Sequence, residues 1–282
     1  MTDFGVNSMV GDLAWVAVRP PSPRGDYSVA HWATPIDFDR LAAQHSTFTE
    51  LLTRLGCEVL VLDPVDDMPD AIFTYDPVFV VPTGVIELRG AKQVRAGEPP
   101  LLAMELQRAG IPLVGALRAP ATADGGDMFW LDRSTLAIGR SYRTNQAAVD
   151  QIAAMLAPIG ITVETSDLPH DQGPEFCLHL MSVVSPVRED LAVVYERLAP
   201  VPLLQALRAR GIETVSVPEE DYVSLGCNIL CIRPGEVIIA EGNDATVTRL
   251  RNHGVTVHTY AASEINKGEG GPTCLTRPLH RR

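Results

Sequence analysis

Apolar residues recur at three-to-four spacing in five stretches: DFDRLAAQHSTFTELLTRLG, LLAMELQRAG, NQAAVDQIAAMLAPIG, VPLLQALRARG and DATVTRLRNHG. That period predicts five amphipathic helices. Each stretch stops at a glycine, namely Gly56, Gly110, Gly160, Gly211 and Gly254, the residue suited to the left-handed conformation that ends a helix. A short run rich in β-branched residues follows each glycine, CEVLVL, IPLVGAL, ITVETS, IETVSV and VTVHTY, and predicts a strand. The longer runs FTYDPVFVVPTGVIEL, DMFWLDRSTLAIG, LHLMSVVSPVREDLAVVY and CNILCIRPGEVIIA read as paired strands around Pro, Gly or Asp turns. The repeated unit is therefore strand, strand, helix, strand.

A unit of roughly 45 to 55 residues that cannot bury its own helix face points to copies arranged around a common axis. Strand–helix alternation by itself also fits an open α/β sheet, but the fivefold count of helix, glycine and strand favours a five-bladed ββαβ ring. No composition break marks a linker, so residues 1–282 are expected to form a single pseudosymmetric domain.

Of the 282 residues, 46% are hydrophobic and 21% charged, the balance of an ordinary globular protein rather than a disordered one. The formal net charge of -12 argues against nucleic acid or an anionic membrane surface as partner, since both need a clustered basic face. It suits a cationic small molecule. No apolar run is long enough to span a bilayer, and the start MTDFGVNSMVGD lacks the basic-then-apolar build of a signal peptide. The cytoplasm is the expected compartment, and self-association is left open. Five scattered cysteines, at 57, 177, 227, 231 and 274, read as free thiols rather than a disulfide framework.

If turns from different units converge on the axis, residues far apart in sequence can share one cavity. One polar feature per unit is a candidate: PDAIFTYDP at 69–77, DGGD at 124–127, LHLMS at 178–182, LGCN at 225–228 and GEGGPTC at 268–274. Asp70 and Asp76 could hold a cation or cap turns. The acids of DGGD could orient a base or bind guanidinium nitrogens, or simply flank a tight turn. His179 lies in a strand-like run where a histidine is commonly part of the core. Cys274 follows a glycine-rich run whose backbone amides could favour a thiolate and later bind developing negative charge, although an inert surface thiol is the plainer reading. Cys227 lies between apolar neighbours and reads as structural. No close cluster of metal ligands and no nucleotide-binding glycine motif is present, so neither metal nor organic cofactor is expected.

Taken in order, PDAIFTYDP, DGGDMFWLD, IGRSYRTNQ, LHLMS and GGPTC resemble the guanidine-modifying enzymes, a superfamily that includes dimethylarginine dimethylaminohydrolases, arginine deiminases and amidinotransferases. The likeness spans nearly the whole chain and implies a five-bladed propeller. It makes Cys274 the nucleophile, His179 its proton-transfer partner and Asp124 the acid of the Asp/Glu-x-Gly-Asp motif. Asp76 matches the aspartate that receives the guanidinium. Asp70, Phe73, Tyr75, Arg95, Arg143 and Gly268 match positions around the substrate, with Arg143 and Arg95 anchoring an α-carboxylate. The implied partner is a small guanidino compound.

Two departures bear on the substrate. In arginine deiminases the histidine is followed two residues later by an aspartate that binds the second terminal nitrogen; here that residue is Met181, which cannot accept two N–H bonds but suits an alkylated nitrogen. Methylated arginine is the first expectation on this ground. Tyr75 stands where dimethylarginine hydrolases usually carry glutamate, and FTYDP and GGPTC are closer to deiminase wording, so arginine deimination is the second. The same propeller also occurs in a non-catalytic ribosome-associated factor, which the joint presence of acid, histidine and cysteine argues against. The Pro- and Gly-containing stretch 18–35 is a candidate lid.

Overall fold

The computed structural model describes residues 3–176 and 178–282; Cys177, grouped above with the free thiols, lies outside the described residues. Among these residues the strands form five separate three-stranded sheets, the five blades of an α/β propeller. In each blade the middle strand pairs antiparallel with the inner strand and parallel with the outer one, the helix carrying the chain between the last two. Inner and middle strands are almost wholly buried while outer strands are half-exposed, as in Val78–Val81 and Gly84–Glu87 against Leu113–Ala116.

Blade I is Arg277–Arg281, Leu13–Val18 and Glu58–Val61, so residues from both ends of the described chain share one sheet. Blade II is Val78–Val81, Gly84–Glu87 and Leu113–Ala116. Blade III is Met128–Asp132, Thr135–Arg140 and Thr162–Asp167. Blade IV is Val184–Arg188, Leu191–Val194 and Glu213–Ser216. Blade V is Leu230–Arg233, Glu236–Ala240 and Thr256–Tyr260.

The helices are Phe38–Arg54, Glu98–Arg108, Gln146–Leu156, Val201–Ala209 and Asp244–Asn252, with a short extra turn at Glu219–Tyr222. All five glycines predicted to end helices have positive φ, from 69° at Gly211 to 95° at Gly110. The second helix starts earlier than the apolar period implies, because Pro99 and Pro100 occupy its first turn, where a missing N–H costs nothing.

No blade has a core of its own. One apolar cluster runs from Trp15 of blade I through Phe79 of blade II to Trp130 of blade III; others join blade III to IV, IV to V, and V back to I. The ring closes because each sheet buries its faces only against its neighbours.

Candidate active site

The five polar segments lie immediately before the five inner strands, at one end of the ring. Hydrogen bonds link them around the axis. The Tyr75 amide donates to the carbonyl of Cys274 (3.2 Å). The Gly126 amide donates to Asp76 Oδ1 (2.9 Å), and the Leu180 amide to Asp127 Oδ1 (2.9 Å). Ser185 Oγ donates to the carbonyl of Cys227 (2.6 Å), and Asn228 Nδ2 donates to Cys274 Sγ (2.9 Å). Each bond crosses from one blade to the next, so the fold fixes the relative positions of residues up to 200 apart in sequence.

Their side chains enclose a narrow slot of ≈ 40 Å³. Cys274, His179, Asp76, Asp124, Asp70, Phe73, Arg95, Arg143 and Gly268 all line it; Tyr75 does not. Its ring instead lies under the Arg277 guanidinium, 4.0 Å from carbon to centroid, and its hydroxyl donates to the carbonyl of Met128. Tyr75 thus belongs to the wall behind the slot, and the expectation that it meets the substrate there is not reflected in its placement.

His179 and Asp124 are both buried, with Nε2 3.2 Å from Oδ2. Nδ1 lies 3.9 Å from Asp76 Oδ1, so the imidazole stands between two carboxylates. Gly126 packs against the ring so closely that a Cβ would come 2.3 Å from Nδ1. Burial works to raise the Asp76 carboxyl, but His179 and Arg95 together hold it below its ordinary value. It therefore offers a charged acceptor at neutral pH.

Arg95 is placed differently from its expected role. Its Nε and Nη2 both donate to Glu98 Oε2 (2.9 and 2.7 Å), and Nη1 donates to Asp76 Oδ2 (2.7 Å). Burial opposes the charge, yet Glu98, Asp76 and Asp70 hold this guanidinium well above the ordinary arginine range. It is a cation among acids rather than an open fork for a carboxylate. Arg143 is the opposite: 4% exposed, with no protein hydrogen bond at Nε or Nη2. Unmet buried N–H groups facing a slot are a site for an anionic group.

Asp70 accepts from Trp32 Nε1 (2.8 Å), and Trp32 stacks on Phe73 with centroids 5.5 Å apart. Gly268 makes room for this indole, since a Cβ there would come 2.4 Å from it. The stretch 18–35 therefore reaches the site, with Ala30 and His31 in the slot wall.

Two residues with a direct hold on the site were named in the sequence only as part of their segments, with no individual role. Asn228, in the LGCN segment, has its orientation fixed because Oδ1 accepts the Thr273 N–H (3.0 Å), leaving the amide N–H for the sulfur. Asp127, the second acid of DGGD, accepts from Leu180 N and from Ser141 Oγ (2.6 Å) and so holds the segment that carries His179; burial pushes its carboxyl up to about 6. Cys57, Cys227 and Cys231 are buried free thiols, raised by burial to about 11, 12 and 12, while Cys274 is partly exposed. Among the described residues no group of three or more His, Cys, Asp or Glu side chains is arranged to hold a metal ion, and no helix is long and apolar enough to cross a membrane.

A family model described as arginine deiminase matches residues 64–202 and 199–281. The N(G),N(G)-dimethylarginine dimethylaminohydrolase of Streptomyces coelicolor is 29% identical over 261 residues, covering 92% of this chain and 94% of that protein. The arginine deiminase of Listeria welshimeri is 27% identical over 260 residues, covering 77% of this chain and 63% of that protein. The chain thus spans less than two thirds of the Listeria enzyme's length. Among solved structures, DDAH from Pseudomonas aeruginosa complexed with citrulline superposes with a TM-score of 0.81 at 22% identity, over 95% of this chain and 100% of that one, which shows the common fold.

Proposed function

The chain belongs to the arginine deiminase family, and from that premise we propose that it hydrolyses the terminal C–N bond of a methylated arginine, giving citrulline and a methylamine through a covalent intermediate on Cys274. The observation that carries this reading is the convergence of thiol, imidazole, three aspartates and an unmet arginine on one slot. The names of the Streptomyces and Pseudomonas relatives support it.

In this reading Arg143 receives the α-carboxylate at the far end of the slot, and Asp76 and Asp124 accept N–H bonds from the planar guanidinium. Arg95 then shares Asp76 with the substrate. The Cys274 thiolate, stabilised by the Asn228 amide, adds to the guanidinium carbon and forms a C–S bond. The C–N bond to the substituted nitrogen breaks as His179 gives that nitrogen a proton, and the amine departs. Water then adds to the thiouronium carbon with His179 taking its proton, and the C–S bond breaks to return the thiolate and leave the ureido product. Asp124, 3.2 Å from Nε2, orients the imidazole and stabilises its charged form.

Met181 supports a substituted nitrogen: it is buried beside His179 and supplies no carboxylate there. Arginine deimination is the second reading, favoured by the family match and by Tyr75 in place of a glutamate. Incubation with asymmetric dimethylarginine, monomethylarginine, arginine and agmatine separates the two. Dimethylamine and citrulline are expected from the first, and Cys274→Ser abolishes both. Ammonia from arginine with dimethylarginine inert would establish the second reading instead.

A further inference from the structure

Behind the reacting pair lies a second cavity of ≈ 240 Å³, far larger than the slot. Cys274, His179 and Glu269 belong to the walls of both, so the thiol and imidazole stand at the waist between them. The inner wall of the second cavity is uncharged, built from Tyr75, Gly126, Met181 and Cys227 together with the polar Ser182, Asn228 and Thr273. Phe176, Tyr222, Val223 and Leu225 form its outer part. Phe176 is 44% and Val223 74% exposed, while Tyr222 is held by stacking on Tyr195 at 3.7 Å. Among the described residues, carboxylates line it only at Asp171 and Glu269.

We propose that this chamber receives the substituent on the leaving nitrogen, and that the enzyme's substrate class extends to guanidines bearing an apolar alkyl or aryl group larger than methyl. The inference rests on the functional reading above and specifies which substrates that site takes. Three nitrogens surround the carbon over the sulfur. One leads into the slot toward Arg143, and the acids of the slot hold the guanidinium N–H groups. The nitrogen that His179 protonates is the one at the waist, so what it carries has the second cavity before it. An apolar cavity of about 150 Å³ is enough to take a benzene ring, so the chamber accommodates a benzyl group. Burying such a group against Met181, Tyr222 and Leu225 contributes binding in proportion to the apolar surface it removes from water. The arrangement also separates the products. After C–N cleavage the amino-acid half remains bound to Cys274 in the slot, while the protonated amine leaves past Asp171 and Glu269, whose charge favours a cation.

The test is turnover of N-ω-methyl-, N-ω-propyl- and N-ω-benzyl-L-arginine, with citrulline and the free amine measured together. The chamber predicts kcat/KM for the benzyl compound no more than threefold below that for the methyl one. Val223→Trp, at the exposed mouth, should lower the benzyl-to-methyl ratio at least fivefold. Turnover of the methyl compound with the benzyl compound tenfold or more slower would overturn the chamber and leave the functional reading intact. An unchanged ratio in Val223→Trp would also overturn it. No turnover of any guanidino compound would overturn both.

Discussion

Asn228 gives the most direct test of how the site is built. Its amide nitrogen lies 2.9 Å from Cys274 Sγ, and the Thr273 N–H donated to its amide oxygen, together with the close approach of Gly271, leaves it one orientation. A hydrogen bond to a charged partner contributes about 1.5–3 kcal/mol, and every 1.4 kcal/mol is about a factor of ten. Asn228→Ala should therefore lower the thiolate fraction by roughly tenfold to a hundredfold. Asn228→Asp should do more, because it keeps the acceptor for Thr273 but sets a negative charge beside the sulfur. The assay is iodoacetamide alkylation at pH 7, read on the Cys274 peptide by mass spectrometry so that reaction at other thiols is not counted. Circular dichroism and thermal melting check that each variant is folded. If both folded variants alkylate Cys274 within threefold of the wild-type rate, the amide does not stabilise the thiolate and this account of the nucleophile is wrong.

Arg143→Gln should raise KM for an α-amino-acid substrate by about tenfold or more yet leave KM for agmatine, which has no carboxylate, within twofold; equal effects on both would remove Arg143 from carboxylate binding. Gly126→Ala drives a methyl group into His179, and a misplacement on the order of 1 Å can cost about a hundredfold in rate, so steady-state kcat should fall that far while the far-UV spectrum stays native. Asp127 has a folded-state value of about 6 against an ordinary 3.8, which means the fold favours its protonated form. Its contribution is most favourable below pH 4 and is lost as pH rises through about 6, by up to about 3 kcal/mol. Urea unfolding at pH 4, 5, 6 and 7 should show the stability of Asp127→Asn gaining on the wild type across that window, and a constant difference would refute the assignment.

Much of the ring is legible in the sequence because each blade carries its helix, its terminating glycine and its outer strand as neighbours in the chain. Blade I is the exception. Its inner strand, RPLHR, carries charges at Arg277 and Arg281 where a buried strand should be apolar. Both are buried, because backbone carbonyls rather than carboxylates receive them: Tyr75 and Val78 for Arg277, Gly11 and Cys231 for Arg281. Only the closed ring brings those carbonyls together, so no local pattern announces the strand. The same holds within the site. Cys227 reads correctly as a core thiol from its apolar neighbours, but the role of the next residue, Asn228, depends on a loop 46 positions away. Arg95 matches by alignment, and Glu98 is its neighbour in the chain, whereas Asp70 and Asp76 are brought to it by the fold.

Cys274, the proposed nucleophile, and the closing strand of blade I are separated by only two residues. Until Arg277–Arg281 docks beside Leu13–Val18, Cys274 has no fixed distance to Asn228, His179 or Asp76, which belong to three other blades. Closure of the ring is thus an interlock: the step that completes the architecture is also the step that brings the thiol to its partners. In an incompletely assembled chain the Cys274 thiol lacks the Asn228 amide beside it, and only the finished ring holds the two 2.9 Å apart.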